Sequence, residues 1–326
     1  MSVIKHGFII ALTAVAAAAL PAAAQDYPTK PISLQVPFAA GGPTDTVARS
    51  LGVAMVKALK QTIVVENTVG AGGTIAPTKV KNATPDGYTL LIAHIGMSTA
   101  PALYKTLPFK PLEDFELVGQ VVDVPMTLIA KQGFAPKDLK ELIAYVKANK
   151  DKVTFANAGI GSASHLCGLL FMSTIETELT TVPYKGTAPA LNDILGGQVD
   201  MLCDQTTNTT SYIKANRVKA YGTTSKTRLD TLKELPPLGE AGLPGFEVVV
   251  WHGVYAPKGT PKPVIDKLVA ALQAGIQDPA FVQRMNDLGS QVVSQDKATP
   301  EGLRVRLKSE IDRWTPIIRK AGVYAD

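Results

Sequence analysis

Twice in this chain a strand-like apolar run ends in a glycine-rich turn that opens straight into a helix pattern. In the first, Ile32–Phe38 alternates like a strand, Ala39-Ala40-Gly41-Gly42 forms the turn, and Pro43 suits the first turn of a helix. Val47, Leu51, Ala54, Met55, Ala58 and Leu59 then recur at helical spacing and give that helix a buried face. In the second, Val153–Asn157 is the strand, Ala158-Gly159-Ile160-Gly161 the turn, and a helix runs from about Ser162 to Thr174. The same grammar fills the rest of the chain. Strand patterns lie at Thr62–Glu66, Tyr88–Ile95, Leu179–Lys185, Val199–Asp204 and Val218–Thr223, separated by helix patterns such as Asp138–Lys147 and Ala188–Leu195. Alternation of this kind requires an α/β fold with mostly parallel sheets covered on both faces.

Two extended runs, Phe115–Lys131 and Phe246–Ala256, do not fit one sheet. If both cross between lobes, residues 126–245 form an inserted second lobe, and 25–125 with 246–326 form the first. The predicted architecture is two-lobed, with two crossing hinge segments and a ligand cleft between the lobes. A chain of 326 residues is long enough for about two such units.

Composition removes several function classes. With 46% hydrophobic and 19% charged residues, the chain is neither disordered, nor a coiled coil, nor a collagen-like fibre. The net charge of +5 is spread without a basic run, which excludes a nucleic-acid binder and fits weak attraction of small anions. At the N-terminus, Lys5 and His6 precede an apolar run from Gly7 to Leu20, and Ala22-Ala23-Ala24 precedes Gln25. This predicts a signal peptide over 1–24, cut between Ala24 and Gln25, and hence an exported protein; the alternative is an uncleaved anchor. Cys167 and Cys203 exclude a multi-disulfide scaffold and a four-thiolate zinc site, and leave open either one bridge or two buried thiols.

Each glycine-rich turn presents free backbone N–H groups and the positive end of a helix dipole, so each is a potential anion site. The bland alternative is a capped helix start, with Ser162 as N-cap and Asp45 answering the dipole. Two such turns, one per lobe, favour a shared cleft at the carboxyl ends of the strands. The candidate ligand-binding residues are Phe38, Ala39, Ala40, Gly41, Thr44 and Asp45 from the first turn, and Gly161, Ser162, Ser164 and His165 from the second. Ser98 is expected in a loop lining the cleft, since Pro101 interrupts the helix that a nucleophilic serine after a strand would need. Tyr184, Phe38 and Trp251 are candidate apolar walls. Asp204 either caps the following helix or meets a donor group of the ligand. Dinucleotide and phosphate-loop motifs fail, no metal spacing occurs among His94, His165 and His252, and no metal or cofactor is expected.

These segments together resemble the Bug family, the periplasmic solute receptors of tripartite tricarboxylate transporters. The resemblance is carried by Val36–Asp45, Val65-Glu66-Asn67, Gly70–Gly73 and Pro85–Leu91, and continues through Gly161–Leu166, Val182–Gly186 and Leu195–Asp200. It implies a type II periplasmic-binding-protein-like fold that closes on a small organic acid. It also implies that Phe38–Asp45 holds a carboxylate through backbone groups, and that Gly161–His165 adds backbone and hydroxyl donors. In amino-acid-binding members an acidic residue at the position of Asp204 takes the ligand's amine; here Gln205-Thr206-Thr207 follows instead of the common Asn-Leu-Pro. The apolar Ile95-Gly96-Met97-Ser98 segment suggests a bulkier ligand, an aromatic carboxylate or a dicarboxylate. The expectation is a monomeric, non-enzymatic periplasmic receptor that hands its acid to membrane permease subunits. A ligand-occupancy sensor for a membrane kinase and an exported hydrolase using Ser98 are the alternatives.

Overall fold

The computed structural model describes residues 27–322, 324 and 325. The predicted signal peptide and its cleavage point therefore lie outside the described residues. The chain opens with β1 (Ile32–Val36), α1 (Pro43–Leu59), β2 (Ile63–Asn67), α2 (Ile75–Lys81), β3 (Thr89–His94) and α3 (Gly96–Leu103). The long β4 (Phe115–Lys131) leads into α4 (Leu139–Ala148), β5 (Thr154–Asn157), α5 (Ala163–Thr174), β6 (Thr180–Pro183) and α6 (Thr187–Leu195). Next come β7 (Met201–Gln205), α7 (Thr206–Lys214), β8 (Val218–Thr223) and α8 (Leu238–Ala241). The chain closes with β9 (Val249–Pro257), α9 (Lys262–Ile276), α10 (Pro279–Asp287), β10 (Gln291–Val292) and α11 (Pro300–Ala321).

The strands form two groups joined through β4. In the first lobe β2, β1 and β3 run parallel, and β9 then β4 continue the sheet antiparallel. In the second lobe β6, β5 and β7 run parallel, and β4 pairs antiparallel with both β7 and β8. β4 changes partner between Pro125, opposite Val249, and Met126, opposite Gln205. The core follows the strands: Phe115, Trp251 and Tyr255 are fully buried in the first lobe and Phe155 and Phe171 in the second.

Two expectations need correction. The run Phe246–Ala256 does not cross along its whole length, because Val249–Pro257 lies wholly within the first lobe's sheet, between β3 and β4; only its start, up to Val248, lies at the crossing. The strand's apolar residues are buried on both faces, as a central strand requires. The chain returns at Thr224 and Val248, which are bonded to each other beside β4: the Thr224 N–H donates to Met126 O at 2.8 Å, and the Val248 N–H donates to Thr224 O at 3.3 Å. The second correction concerns Ile95–Ser98, expected as a loop. It opens α3, with Pro101 inside the helix and Met97, Ala100, Ala102 and Leu103 buried. Packing of that face against α11 outweighs the loss of one helical hydrogen bond at Pro101. The cysteines are also settled: Cys167 and Cys203 form a disulfide that ties α5 to β7.

Candidate functional site

The turn between β1 and α1 is built around Asp45. Its carboxylate accepts from the Gly41 N–H at 2.9 Å, from Arg49 Nε at 2.8 Å and from Asn67 Nδ2 at 3.0 Å. Burial pushes this carboxyl up, but the bonds from Arg49, Gly41 and Asn67 outweigh it and hold the group below its ordinary value. Asp45 thus shapes the turn and faces its own lobe. Asn67 Nδ2 also donates to Phe38 O at 2.9 Å, which fixes the entry to the turn. Ala40 and Gly41 sit exposed on its outer side, whereas Phe38 and Thr44 are buried.

The turn between β5 and α5 is folded by its own hydroxyls. Ser162 is the N-cap, its Oγ accepting from the His165 N–H at 3.2 Å. Ser164 Oγ accepts from the Ala158 N–H at 2.7 Å and lies 3.2 Å from Ser162 Oγ. The Gly161 N–H donates to His165 Nδ1 at 3.3 Å, and burial lowers the His165 imidazole to about 4, so it stays neutral.

The two turns meet. The Ala39 N–H donates to Lys185 O of the second lobe at 3.0 Å. Tyr104 Oη lies 2.9 Å from Ala71 O and 3.1 Å from Ile160 O, so it spans both lobes. Glycine is required at this seam. A Cβ on Gly72 would lie 1.8 Å from Ile160 O, and one on Gly186 would lie 2.9 Å from Ala39 N.

Between the turns lies a residual cavity of about 10 Å³, the space of about one water. The first lobe lines it with Phe38, Pro43, Thr44 and His94. The second lines it with Ala158, Ser162–Ser164, Thr187, Asp204 and Gln205. These residues mark the starts of α1, α5, α6 and α7. Side chains cap none of α1, α6 and α7. The positive ends of these helices therefore converge on one buried point, an arrangement suited to a negative group. Thr187 Oγ1 and Gln205 Oε1 are buried there without a partner in the protein, leaving bonding capacity for a guest.

Asp204 faces this point with no exposed surface. Its Oδ1 accepts from the Gln205 N–H at 2.8 Å and its Oδ2 from Asn208 Nδ2 at 2.6 Å. Burial raises its carboxyl to about 7, against the opposing pull of Asn208, Thr187 and the Gln205 N–H. Thr187 acts by proximity only, since its hydroxyl completes no hydrogen bond. On the opposite wall the Phe38 ring stacks on His94 at 4.8 Å, and His252 Nε2 lies 3.2 Å from Thr44 Oγ1. Burial lowers His94 to about 4 and His252 well below its ordinary value, so both rings are neutral.

Of the residues singled out in the sequence, Phe38, Thr44, Ser162, Ser164 and Asp204 come together at the cavity. Gly161 and His165 belong to the same turn as Ser162 without lining the cavity, and Ala39 closes the seam. Ala40, Gly41 and Asp45 do not reach it. Ser98 is also absent: it is fully buried in α3, its Oγ donating to Ile95 O at 2.7 Å. Tyr184 lines a neighbouring cavity of about 210 Å³, and its hydroxyl donates away from it, to Asp193 at 2.6 Å. Thr187, Gln205 and His94 went unassigned. The signal that would have found the first two is positional, because Gly186-Thr187 and Gln205-Thr206 are further strand-to-helix turns at the same edge.

Two α/β lobes joined through a shared strand, with helix starts facing each other across a cleft, define a periplasmic binding protein fold. A structure of the periplasmic binding protein BugD superposes with TM-score 0.90 at 55% identity, over 91% of this chain and 99% of that one. The chain belongs to the tripartite tricarboxylate transporter family receptors (TctC), whose family model matches residues 47–323. A protein of Agrobacterium vitis, encoded in the TAR-I ttuE-ttuC' intergenic region, is 48% identical over 92% of this chain and 87% of its own length. MatC from Rhodopseudomonas palustris, solved with bound malate, is 40% identical with TM-score 0.87 over 90% of this chain and 100% of its own. A second R. palustris protein, solved with adipate, is 29% identical with TM-score 0.86 over 91% and 99%. The chain is thus a solute-binding receptor of this family.

Proposed function

We propose that this receptor captures a small organic carboxylate in the periplasm and delivers it to the membrane permease subunits of a tripartite transporter. The observation that carries this reading is the convergence of the α1, α5, α6 and α7 N-termini on one buried cavity between the lobes. Such a point favours a carboxylate over a neutral sugar or a cation. Malate and adipate in the related structures support a dicarboxylate of short to medium length. We take 25–125 with 246–326 as one lobe and 126–245 as the other, so that the ligand is enclosed as they close about the two crossings. The permease then meets a body whose shape reports occupancy.

The test is a thermal-shift screen of malate, adipate and monocarboxylates against neutral sugars, followed by calorimetry. A ligand present at 100 times its dissociation constant stabilises by about 2.7 kcal/mol, which for a chain of this size raises the melting temperature by several degrees. Stabilisation by sugars and not by any carboxylate would remove the proposal.

A further inference from the structure

Resting on the carboxylate reading above, we infer that the ligand enters this cavity together with one proton, taken from solvent onto a carboxylate oxygen of Asp204, which then donates a hydrogen bond to the ligand. Asp204 has no exposed surface and forms no ion pair among the described residues. Each of its oxygens already accepts one bond, from the Gln205 N–H and from Asn208, and each keeps a second lone pair. A ligand carboxylate drawn in by the surrounding helix ends would face this buried carboxylate directly. Two like charges facing each other in a dry site cannot both stay ionised, so one takes a proton. A ligand ammonium would relieve Asp204 equally well, but it would have to sit where those same positive helix ends converge. An organic acid without an amine leaves Asp204 unrelieved, and it is for such an acid that the proton is taken up.

The other ionisable groups on the surrounding elements leave the titration to Asp204. His94 on β3 and His165 on α5 lie at about 4, and His252 on β9 lies well below its ordinary value. On α1 the Asp45 carboxylate is bound by Arg49 and held low, and Tyr184 is pushed up to about 12 by burial and by its bond to Asp193 of α6. Asp204 itself, raised to about 7 by burial, is the group poised to change charge near neutrality.

The experiment is titration calorimetry of the intact receptor with malate and with adipate between about pH 7 and about pH 9, where ordinary carboxylic acids are essentially fully ionised. It is run in buffers of low and of high ionisation enthalpy, so that proton uptake is read directly. The expected result is uptake approaching one proton per ligand at the upper end, and an affinity that falls about tenfold per pH unit above about 7, or about a hundredfold by pH 9. In Asp204→Asn that pH ratio should shrink to within about twofold. Binding without pH dependence, or with proton release, overturns this inference and leaves the carboxylate receptor standing; so does an unchanged ratio in Asp204→Asn. No binding of any carboxylate at any pH overturns both.

Discussion

Gly72 is the position where the closed cleft is most easily tested. It has φ +58 and stands where a methyl group would lie 1.8 Å from Ile160 O and 2.6 Å from Tyr104 Oη. Contacts of a Cβ below 3.0 Å are essentially never seen, so in Gly72→Ala the lobes must part there by 3.0 − 1.8 = 1.2 Å. That movement breaks the Tyr104 bridge to Ile160 O, 3.1 Å long, and stretches the Ala39–Lys185 bond, 3.0 Å long, out of hydrogen-bonding range. Two such bonds, at about 1 kcal/mol each, predict an affinity weaker by roughly ten- to a hundredfold. The left-handed backbone adds a separate cost of about 1 kcal/mol to the unliganded fold, or roughly 2–4 °C in melting temperature. Gly197→Ala isolates that cost, since Gly197 has φ +74 and a Cβ there would meet nothing within 4 Å. Both variants should melt at similar temperatures without ligand, and only Gly72→Ala should lose affinity by calorimetry. Equal affinities in the two variants would show that the liganded receptor does not close onto the Gly72–Ile160 contact.

Ser164→Ala removes the acceptor for the buried Ala158 N–H, so it should lower stability by about 1–3 kcal/mol even without ligand; an unchanged melting curve in calorimetry would refute this. Asp45→Asn should destabilise at neutral pH. Because the folded carboxyl is held below its unfolded value near 3.9, the wild-type advantage should be complete above that value and vanish as pH falls through the lower folded one, as followed by denaturation at stepped pH. Ligand-induced fluorescence change should come from Trp314, which lines a groove of about 440 Å³ between α11 of the first lobe and α5 of the second; Trp251 lies inside the first lobe's sheet. Trp314→Phe should therefore remove most of the signal in a fluorescence titration, and Trp251→Phe should leave it.

Much of the fold was legible because its signals are local. Gly41-Gly42-Pro43 marks a helix start by backbone chemistry alone, and α1 begins at Pro43 with Gly42 as its cap. Ser162 caps α5 as its type and position predict. The exceptions are places where tertiary packing decides. Pro101 argues against a helix, yet a buried face held against α11 keeps α3 helical. Phe246–Ala256 looks like a crossing along its whole length because it is long and apolar, but a central antiparallel strand has the same composition. Nor could the sequence choose between a bridge and two thiols, since Cys167 and Cys203 become neighbours only once α5 is laid over β7.

The site was less legible than the fold for a related reason. No residue in it carries a distinctive chemical signature. Thr187 and Gln205 begin ordinary helices, and what brings them to the cavity is that α6 and α7 start at the same edge as α5 and point at the start of α1. Asp204 shows the limit most clearly. Its sequence context allows either a helix cap or a ligand partner; in the structure it accepts from the Gln205 N–H and from Asn208 beside the start of α7, without capping that helix, and it lines the wall of the cavity. Because the bonds from Gln205 and Asn208 hold its oxygens in place, the carboxyl could not turn aside from a negative group placed in the cavity. A group that can neither move away nor reach water has one remaining response to a second charge, which is to change its protonation.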